Sequence, residues 1–595
     1  MKRQPIHMYA KAFFFLWTSL FLLPGDIGAQ SYSSHRPDIP TYGDLHVSYT
    51  NKPFNSIKGA EYGLWEQIYH DCGADFSETL VKQYGKNMVK ESQSHFESLA
   101  RGNVRIACLA LSPIQTKFIN TKFLTNKNKQ ETISCLLGIQ GDQAFLRKTD
   151  RDYFENLVDH IEYLQRFSDK EHSVDGINYQ YTLVKDLEDL EEAIDNPTMM
   201  AMILTVEGAH ALGQSIYIDE GLGDSQEYQV QVLDNVKRLK GIMPLKPNSS
   251  DLLDEPILFI SLGQHYPNAI VGNTQTFTDF QREVYGEDIS LNDGFTSLGK
   301  KVVKELTSRQ KGRRVLIDIK HMSLEGRKWY YDFVENQRFI GENIPIVASH
   351  VGIAGSSWED PRYLTSDDSR KNRTRVLNLW QQNLANEEVK MIVESDGLIG
   401  ISLDQQVIAG EAFQDLVDKT VPGTVQRRQV YMKLVLANMF AAVQAANDQK
   451  AWDHLCVGSD YDAMFDPMET YLTADDFPSL GEDIENFLND PTDLFDLFTE
   501  AEVRRLMFEL EPDAIARKVL SDNMINFLKT HLGKITFDRL PDPSLEGNIT
   551  FRLQGFDNAT SVALAGEFND WYPRSHFFGK EEGDWVCRLN LKPGV

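Results

Sequence analysis

Cysteine is scarce in this chain, and its scarcity excludes two kinds of protein. The sequence of 595 residues contains 5 cysteines, and no two of them form a Cys-x-x-Cys pair. An odd number cannot pair completely within one chain, so neither a disulfide scaffold nor a thiolate zinc site fits. Cys108 and Cys456 lie inside apolar runs that are typical of strands, which favours buried thiols.

Positive charge is also in short supply. The chain has 60 Lys and Arg residues against 87 Asp and Glu residues, which gives a formal net charge of −27 at pH 7. Nucleic acids and anionic membranes carry the same sign of charge, so both are unfavourable partners. We interpret the acidic excess as a solvated surface.

Long hydrophobic runs are absent apart from one near the N-terminus, at residues 12–23. Lys2 and Arg3 precede this run, and Ala29 ends an acceptable cleavage site. The pattern is typical of a secretory signal peptide over residues 1–29, and the run is too short to span a membrane. We therefore expect an exported protein, periplasmic or extracellular, with no transmembrane span.

What the sequence does contain is a regular alternation of apolar runs and helical patterns. In segments such as 152–164 and 298–306, apolar residues recur at the helical spacings of three and four. Alternating strands and helices predict a parallel sheet, and eight strand-like runs favour a (β/α)8 barrel of the TIM type over an open α/β sheet. The eight runs end at or near His46, Leu111, Glu207, Leu262, His321, His350, Leu403 and Asp460.

Residues that can bind a metal ion lie at several of these strand ends. His46, Glu207, His321 and His350 each lie at or just past the end of a run. Imidazole and carboxylate are ligands that zinc-like divalent ions prefer, and β/α barrels carry their active sites at the carboxyl ends of their strands. A single histidine after a strand is more often a capping or surface residue, so the prediction of a metal site rests on all four together.

Six short motifs follow one another along the chain. They are DLH at 44–46, VEGAH at 206–210, LIDIKHMS at 316–323, PIVASH at 345–350, NLANEEV at 383–389 and GSDYD at 458–462. In this order and spacing they resemble the motifs of the membrane (renal) dipeptidase family of the amidohydrolase superfamily. The resemblance extends over residues 42–532. It implies a zinc-dependent metallopeptidase that cleaves a peptide or related amide bond with a metal-activated hydroxide.

The resemblance also implies which residues hold the metal. Glu207 would bridge two zinc ions, with His46 holding one ion and His321 and His350 holding the other. Ser48 departs from the family pattern, because the family has a metal-binding Asp at this place and serine brings no negative charge. Either the site holds one ion on Glu207, His321 and His350, or water and another acid complete the second position.

Further residues would act on the substrate. Asp460 would take a proton from the nucleophile and pass it to the leaving amine, and His265, or Gln264 beside it, would steady the oxyanion. Gln382 stands where the family has an Arg that grips the substrate's terminal carboxylate, and glutamine cannot copy that bidentate contact. Arg362 is a candidate replacement, although a solvated surface arginine is its more ordinary interpretation. The substrate is therefore left open between a dipeptide, a longer peptide and another amide.

Near the C-terminus the pattern changes to short β-type runs. Residues 564–571 read LAGEFNDW, which resembles the immunoglobulin-like early-set modules that bind glycogen. We expect a dipeptidase-like (β/α)8 domain over residues 30–540 and a small all-β sandwich, short or truncated, over residues 545–595. Trp571 and Trp585 are interpreted either as platforms for a glycan or as core residues of the sandwich.

Three functions follow from these patterns. The first is an exported metal-dependent hydrolase acting on a small peptide or amide, with a homodimer left open. The second is a catalytically degenerate protein that binds glycan or protein through the C-terminal module. The third is a mononuclear hydrolase acting on an ester or lactone. A decayed site has no chemical need for Glu207, His321, His350 and Asp460 together, which favours an enzyme.

Overall fold

The computed structural model describes most of the chain from Thr41 onward. The expected signal peptide at residues 1–29 lies outside the described residues, and so does Trp571. The described residues are 41–55, 63–68, 92–115, 152–213, 225–246, 249–278, 282, 287, 290, 293–309, 312–364, 375–464, 466–532, 549–556, 562–564, 576–581 and 583–589.

The strands of the described residues are numbered here in chain order. They are β1 (Tyr42–Val47), β2 (Val104–Leu111), β3 (His172–Val174), β4 (Ile177–Leu183), β5 (Met199–Glu207), β6 (Ile257–Ser261), β7 (Leu316–Asp318), β8 (Val347–Val351), β9 (Leu398–Ile401), β10 (Leu455–Val457), β11 (Ile549–Leu553), β12 (Ala563–Leu564), β13 (His576–Phe577), β14 (Gly579–Glu581) and β15 (Asp584–Leu589).

Eight of these strands form a parallel barrel that is nearly closed. Their order around the barrel is β1-β2-β5-β6-β7-β8-β9-β10. The two ends of this order meet where Val47 and Tyr461 form a parallel bridge and where the Asp460 N–H donates to the His46 carbonyl at 3.0 Å. The TIM-type barrel that the sequence predicts is thus confirmed, and its strands coincide with the eight predicted runs to within a few residues.

Burial explains why these strands are apolar along their whole length. Every residue of β2 and β5 is buried. In a β/α barrel one face of each strand packs into the filled interior and the other against the surrounding helices, so polar residues concentrate at the strand ends. The barrel thus leaves its two rims as the places where polar side chains can gather.

Strands β3 and β4 were not anticipated from the sequence. They form an antiparallel hairpin, and β4 also runs parallel to the start of β5, with Gln180 opposite Met199. Buried and partly exposed residues alternate along β4. This period-two pattern is a weaker signal than a continuous apolar run, and it was the clue available in the sequence.

Helices fill the connections between the barrel strands. Asp152 caps the first long one, because its carboxylate accepts hydrogen bonds from the N–H groups of Phe154 and Glu155. No helix among the described residues combines the length and the apolar character that crossing a membrane requires. The α-helices are Asn51–Phe54, Phe96–Arg101, Tyr153–Phe167, Leu187–Asp195, Gln226–Leu239, Ser297–Thr307, Leu324–Phe339, Pro361–Leu364, Asn386–Glu394, Gln405–Ile408, Glu411–Val417, Val425–Ala446, Phe477–Asn489, Glu500–Leu506, Pro512–Arg517 and Asn523–His531, with single turns of other helix types at Ala209–Leu212, Gln449–Asp453, Ala474–Asp476 and Lys518–Asp522.

The C-terminal strands form two small antiparallel sheets. One has the order β11-β15-β14, and the other pairs β12 with β13. Trp585 is buried in the first sheet, its indole N–H donates to the Phe556 carbonyl at 3.0 Å, and the Lys580 ammonium lies 4.9 Å from its ring centre. Of the two interpretations, this burial favours Trp585 as a core residue. The immunoglobulin-like sandwich itself stays a prediction.

Candidate metal centre

Five of the residues singled out by the sequence meet at the carboxyl ends of the barrel strands. Their ligand atoms form two overlapping groups, and within each group all atoms lie within 4.8 Å of one another. We call Glu207, His321 and His350 the Glu207 triad, and His46, His350 and Asp460 the Asp460 triad. All five side chains are buried. His350 belongs to both triads.

Short contacts hold the two triads together. His321 Nε2 lies 3.1 Å from Glu207 Oε1, and His350 Nε2 lies 3.8 Å from the same oxygen. His46 Nε2 lies 3.7 Å from Glu207 Oε2 and 3.9 Å from Asp460 Oδ1. The rings of His46 and His350 are 4.0 Å apart between centres. The polar atoms of all five side chains therefore converge on one small volume.

Two of these five residues have an unusual backbone conformation. His321 has φ 65° and Asp460 has φ 68°, in the left-handed region that residues other than glycine seldom adopt. Each lies three residues beyond the end of its strand, β7 or β10. Such strained backbone persists where the surrounding structure enforces it, and it concentrates at functional sites.

The turn after Glu207 requires a glycine. Gly208 has φ 97°, and a Cβ atom built there would lie 2.3 Å from Nδ1 of His210. A larger residue at this position would both strain the backbone and collide with that ring. The motif 206–210 is therefore explained by the way β5 ends, and His210 has a packing role in it, with Nε2 2.7 Å from the Pro113 carbonyl oxygen.

A buried carboxylate organises the groups behind the candidate ligands. Asp318 accepts hydrogen bonds from the Ser349 hydroxyl at 2.7 Å and from the Ser349 N–H at 3.0 Å. It also accepts from the hydroxyl of Ser261 and from the Lys320 N–H. The strands β6, β7 and β8 are thereby tied together by residues that shortly precede His321 and His350 in the chain. Such supporting contacts orient metal ligands in proteins.

The residues present fit a divalent cation. His46 Nε2 and Asp460 Oδ1 are buried and make no hydrogen bond within the described part of the chain, and their contacts of 3.7 to 3.9 Å are too long to be hydrogen bonds. Buried polar atoms without partners are rare in folded proteins and call for an explanation. Three imidazoles and two carboxylates whose polar atoms converge are the donor set of a zinc-type site.

Electrostatics keep two of the donor side chains, His350 and Glu207, in the state that a cation needs. Burial lowers the pKa of His350 well below its usual value, and the neighbouring His46 and Lys320 lower it further. Burial acts in the opposite direction on Glu207, yet His321 and His46 hold its pKa well below the usual range. A neutral imidazole and an ionised carboxylate are the ligand forms of these side chains.

The two candidates for the oxyanion group both lie near the triads. The ring of His265 stacks on Phe277 at 4.8 Å, and its centre is 5.4 Å from that of His321. Gln264 is buried, with Nε2 3.4 Å from the Ser112 hydroxyl. The structure brings both side chains to the same rim of the barrel, so the choice between them stays a prediction.

The two residues proposed for substrate binding occupy different surroundings. Gln382 is buried, and its Oε1 accepts a hydrogen bond from the Lys320 ammonium at 3.2 Å. Arg362 instead forms a bidentate ion pair with Asp360, with contacts of 3.0 and 2.6 Å, and 53 % of its side chain is exposed. The arrangement gives Gln382 a place among the buried groups of the site, whereas Arg362 has the surroundings of a surface arginine.

Sequence reasoning passed over Lys320. This side chain is buried, and Asp460, Asp318 and Asp404 all attract its ammonium, opposing the lowering of its pKa by burial. The signal was a lysine directly before His321 at the end of an apolar run, which is an unusual place for a cation. Lys320 therefore joins the polar residues that define the candidate centre.

Fold and site together define a class, namely parallel β/α barrels with a buried histidine–carboxylate centre at the carboxyl rim. No family model matches the chain, and no curated protein matches it either.

Three solved structures that resemble the chain are metallopeptidases or a dipeptidase by description. A metallo peptidase from Rhodobacter sphaeroides liganded with a phosphinate mimic of the dipeptide L-Ala-D-Ala is 11 % identical, covers 83 % of this chain and 100 % of its own, and has a TM-score of 0.44. The dipeptidase AC, a metallo peptidase of family M19, is 12 % identical, with coverages of 83 % and 99 % and a TM-score of 0.45. The probable dipeptidase PvdM from Pseudomonas aeruginosa is 12 % identical, with coverages of 75 % and 90 % and a TM-score of 0.41. Identities and TM-scores this low carry no argument about chemistry, which rests on the site itself.

Proposed function

We propose that this chain is an exported, zinc-dependent hydrolase that cleaves a peptide or related amide bond. The observation that carries the proposal is the convergence of three histidines and two carboxylates at one rim of the barrel. Two of the buried donor atoms, His46 Nε2 and Asp460 Oδ1, have no hydrogen bond within the described residues. The motifs at residues 44–46, 206–210 and 316–323, which resemble those of the membrane dipeptidase family, support the same conclusion.

The metal would be held by His46, Glu207, His321 and His350. A bound divalent cation supplies a nucleophile near neutral pH by lowering the pKa of water, and it polarises the scissile carbonyl. The imidazole and carboxylate donors favour zinc over magnesium or calcium, which prefer all-oxygen sites. Glu207 supplies the negative charge that neutral histidines lack.

The remaining polar groups act on protons and on the substrate. Asp460 Oδ1 accepts a proton from the attacking water and returns it to the nitrogen of the leaving amine. His265, or Gln264, donates a hydrogen bond to the carbonyl oxygen as negative charge develops on it. The rim is lined with buried residues, so water is limited there and these interactions are strengthened. Gln382 would contact the substrate beyond the scissile bond.

The test combines metal analysis with hydrolysis of a panel of dipeptides and N-acyl amino acids by the purified chain. We expect bound zinc, amine release from at least one substrate, loss of activity on chelation and its return on adding zinc. A matched control is His454→Ala, because His454 is buried outside the triads with Nδ1 2.7 Å from the Gly397 carbonyl oxygen. Absence of both bound metal and hydrolysis would favour the degenerate binding protein instead.

Three further expectations accompany this function as proposals. Export through the segment at residues 1–29 would be tested by locating the protein in its source cells. Glycan binding by the C-terminal sheets lacks support from the buried Trp585, so it rests on Trp571 alone. A homodimer would be tested by light scattering.

A further inference from the structure

Asp462 lies two residues beyond Asp460 in the connection that follows β10, and its side chain is inaccessible to solvent. Its Oδ2 accepts hydrogen bonds from the Ser94 N–H at 2.9 Å and from the Ser94 hydroxyl at 2.7 Å. Its Oδ1 accepts from the Gln93 N–H at 3.0 Å and pairs with the Lys52 ammonium at 2.6 Å. All of these donors belong to the connection between β1 and β2, so the carboxylate joins two connections at the carboxyl rim.

The backbone of Asp462 is anchored to the same segment. Its N–H donates to Gln93 Oε1 at 2.9 Å, so main chain and side chain both bind residues 93–94. Asp462 has φ 72° and Asp460 has φ 68°. Two residues other than glycine in the left-handed region, with one residue between them, make this backbone costly to form. Such a conformation persists only where surrounding contacts enforce it, and the hydrogen bonds of Asp462 are contacts of that kind.

The residue before Asp460 is fixed to the barrel instead. Asp44 Oδ1 accepts hydrogen bonds from the Ser459 N–H at 2.9 Å and from the His46 N–H at 3.2 Å. Asp460 therefore lies between two anchored positions, Ser459 on the side of the strand and Asp462 on the side of the connection. Its own Oδ1 makes no hydrogen bond within the described residues. The direction of the Asp460 side chain thus depends on the backbone at either side of it.

We propose that Asp462 is a positioning residue for Asp460. Its carboxylate holds the connection after β10 in the left-handed conformation that directs the Asp460 carboxylate toward His46 and His350. This role rests on the proposed function, in which Asp460 moves protons, and it adds the residue that keeps Asp460 in place. Asp462 belongs to neither triad, so it acts on the reaction through Asp460 alone.

The test combines the kinetics of single and double variants with zinc counting, on the best substrate of the dipeptide panel and well below the unfolding midpoints. Asp462→Asn keeps the size of the side chain and removes the charge that binds Lys52. We expect kcat to fall about 10- to 100-fold, the effect of a small misplacement of a reacting group, with KM and zinc per chain unchanged. The double variant Asp460→Asn/Asp462→Asn should be no slower than Asp460→Asn, because no carboxylate is left to position.

A control and a structural measurement accompany the kinetics. Glu255→Gln makes the same chemical change at a buried carboxylate that accepts a hydrogen bond from Gln165 at 2.7 Å. Glu255 directly precedes β6, at the opposite end of the barrel, so its variant should keep the wild-type kcat. Crystal structures of the wild type and Asp462→Asn need no activity. We expect residue 460 to have a positive φ in the wild type and to leave the left-handed region in the variant.

An unchanged kcat in Asp462→Asn would overturn the positioning role, and so would a further fall of kcat in the double variant. Loss of zinc from Asp462→Asn would also overturn it, because Asp462 would then act on the metal. A wild type without activity would overturn the hydrolase proposal, and an unchanged φ at residue 460 would still count separately against Asp462. Where Asp462→Asn fails to fold, Ser94→Ala takes its place, since it removes one donor to Asp462 Oδ2 and should lower kcat in the same direction.

Discussion

The hydroxyl of Ser349 lies 2.8 Å from Nδ1 of His350, its neighbour in β8. The same hydroxyl donates its proton to Asp318 Oδ2 at 2.7 Å, so its oxygen accepts the proton of His350 Nδ1. This chain of two hydrogen bonds fixes the tautomer of His350 and leaves Nε2 unprotonated, facing Glu207. A metal ligand prepared in this way needs no rearrangement before it binds.

Removing the Ser349 hydroxyl tests whether it fixes the tautomer of His350 for metal binding. We expect Ser349→Ala to weaken zinc binding about 10- to 100-fold, the usual effect of losing a group that orients a ligand. Zinc affinity is measured by competition with a chromophoric chelator. Ser98→Ala serves as the control, because Ser98 is buried and donates to backbone carbonyls of Gln93 and His95 outside the triads. Equal zinc affinity in the wild type and Ser349→Ala would contradict the proposed relay.

The ligand role of His350 predicts loss of metal without loss of fold. We expect His350→Ala to bind no zinc at the centre, because the Glu207 triad then keeps only two donors. Circular dichroism and the unfolding midpoint should stay close to those of the wild type, since the hydrogen bond of the ring goes to the adjacent Ser349 and does not join two strands. The control is again His454→Ala. Zinc retained at the wild-type stoichiometry would remove His350 from the ligand set.

Asp460 is predicted to move protons and to leave metal binding largely intact. We expect Asp460→Asn to keep its zinc and to lower kcat by about 10²- to 10⁴-fold, the usual contribution of a general acid–base group. Rates are measured on the best substrate of the panel, with zinc counted in the same preparation. Asp396→Asn is the control, because Asp396 is an exposed partner of Lys450. A variant that loses zinc together with activity would make Asp460 a ligand.

The sequence predicted the barrel and most of its centre because both depend on local patterns. Continuous apolar runs indicate strands buried on both faces, and a polar residue at the end of a run marks the rim of the barrel. Lys320 and Gln382 are different: their hydrogen bond joins positions 62 residues apart. Such a contact depends on how the connection after β8 folds back over the rim, which no periodicity shows. The role of Arg362 in substrate binding stays a prediction; in the structure this arginine is engaged locally by Asp360.

The ion pair between Lys52 and Asp462 is predicted to stabilise the rim of the barrel. Lys52 Nζ lies 2.6 Å from Asp462 Oδ1, and both side chains are nearly inaccessible. We expect Lys52→Met to lower the free energy of unfolding by about 3–5 kcal/mol, because it leaves a buried carboxylate without its cation. Lys450→Met breaks the exposed pair with Asp396 and should cost about 0–1 kcal/mol. Urea unfolding measures the stability of both variants. An equal loss in the free energy of unfolding would show that burial does not determine how much an ion pair contributes to stability.

His531 is predicted to make stability depend on pH between about 4 and 6.5. Burial, and after it the nearby Arg309 and Arg314, lower the pKa of His531 to about 4 from the usual 6.5, while Asp396 opposes them. Between these values the unfolded chain binds a proton that the folded chain does not. The free energy of unfolding therefore rises with pH through this window and levels off above it.

The expected size of this contribution from His531 is about 2 kcal/mol. The ring lies tilted against Phe527, with 4.5 Å between the ring centres, and it is only partly buried, so water screens part of the effect. Urea unfolding of the wild type and His531→Gln at pH 4.5 and pH 7 isolates it. Other groups that titrate in this range cancel in the comparison, since both proteins share them. The increase in stability from pH 4.5 to pH 7 should be smaller in His531→Gln. If both proteins gain equally, the ring is solvated in the folded chain and the last helix packs more loosely than its contacts indicate.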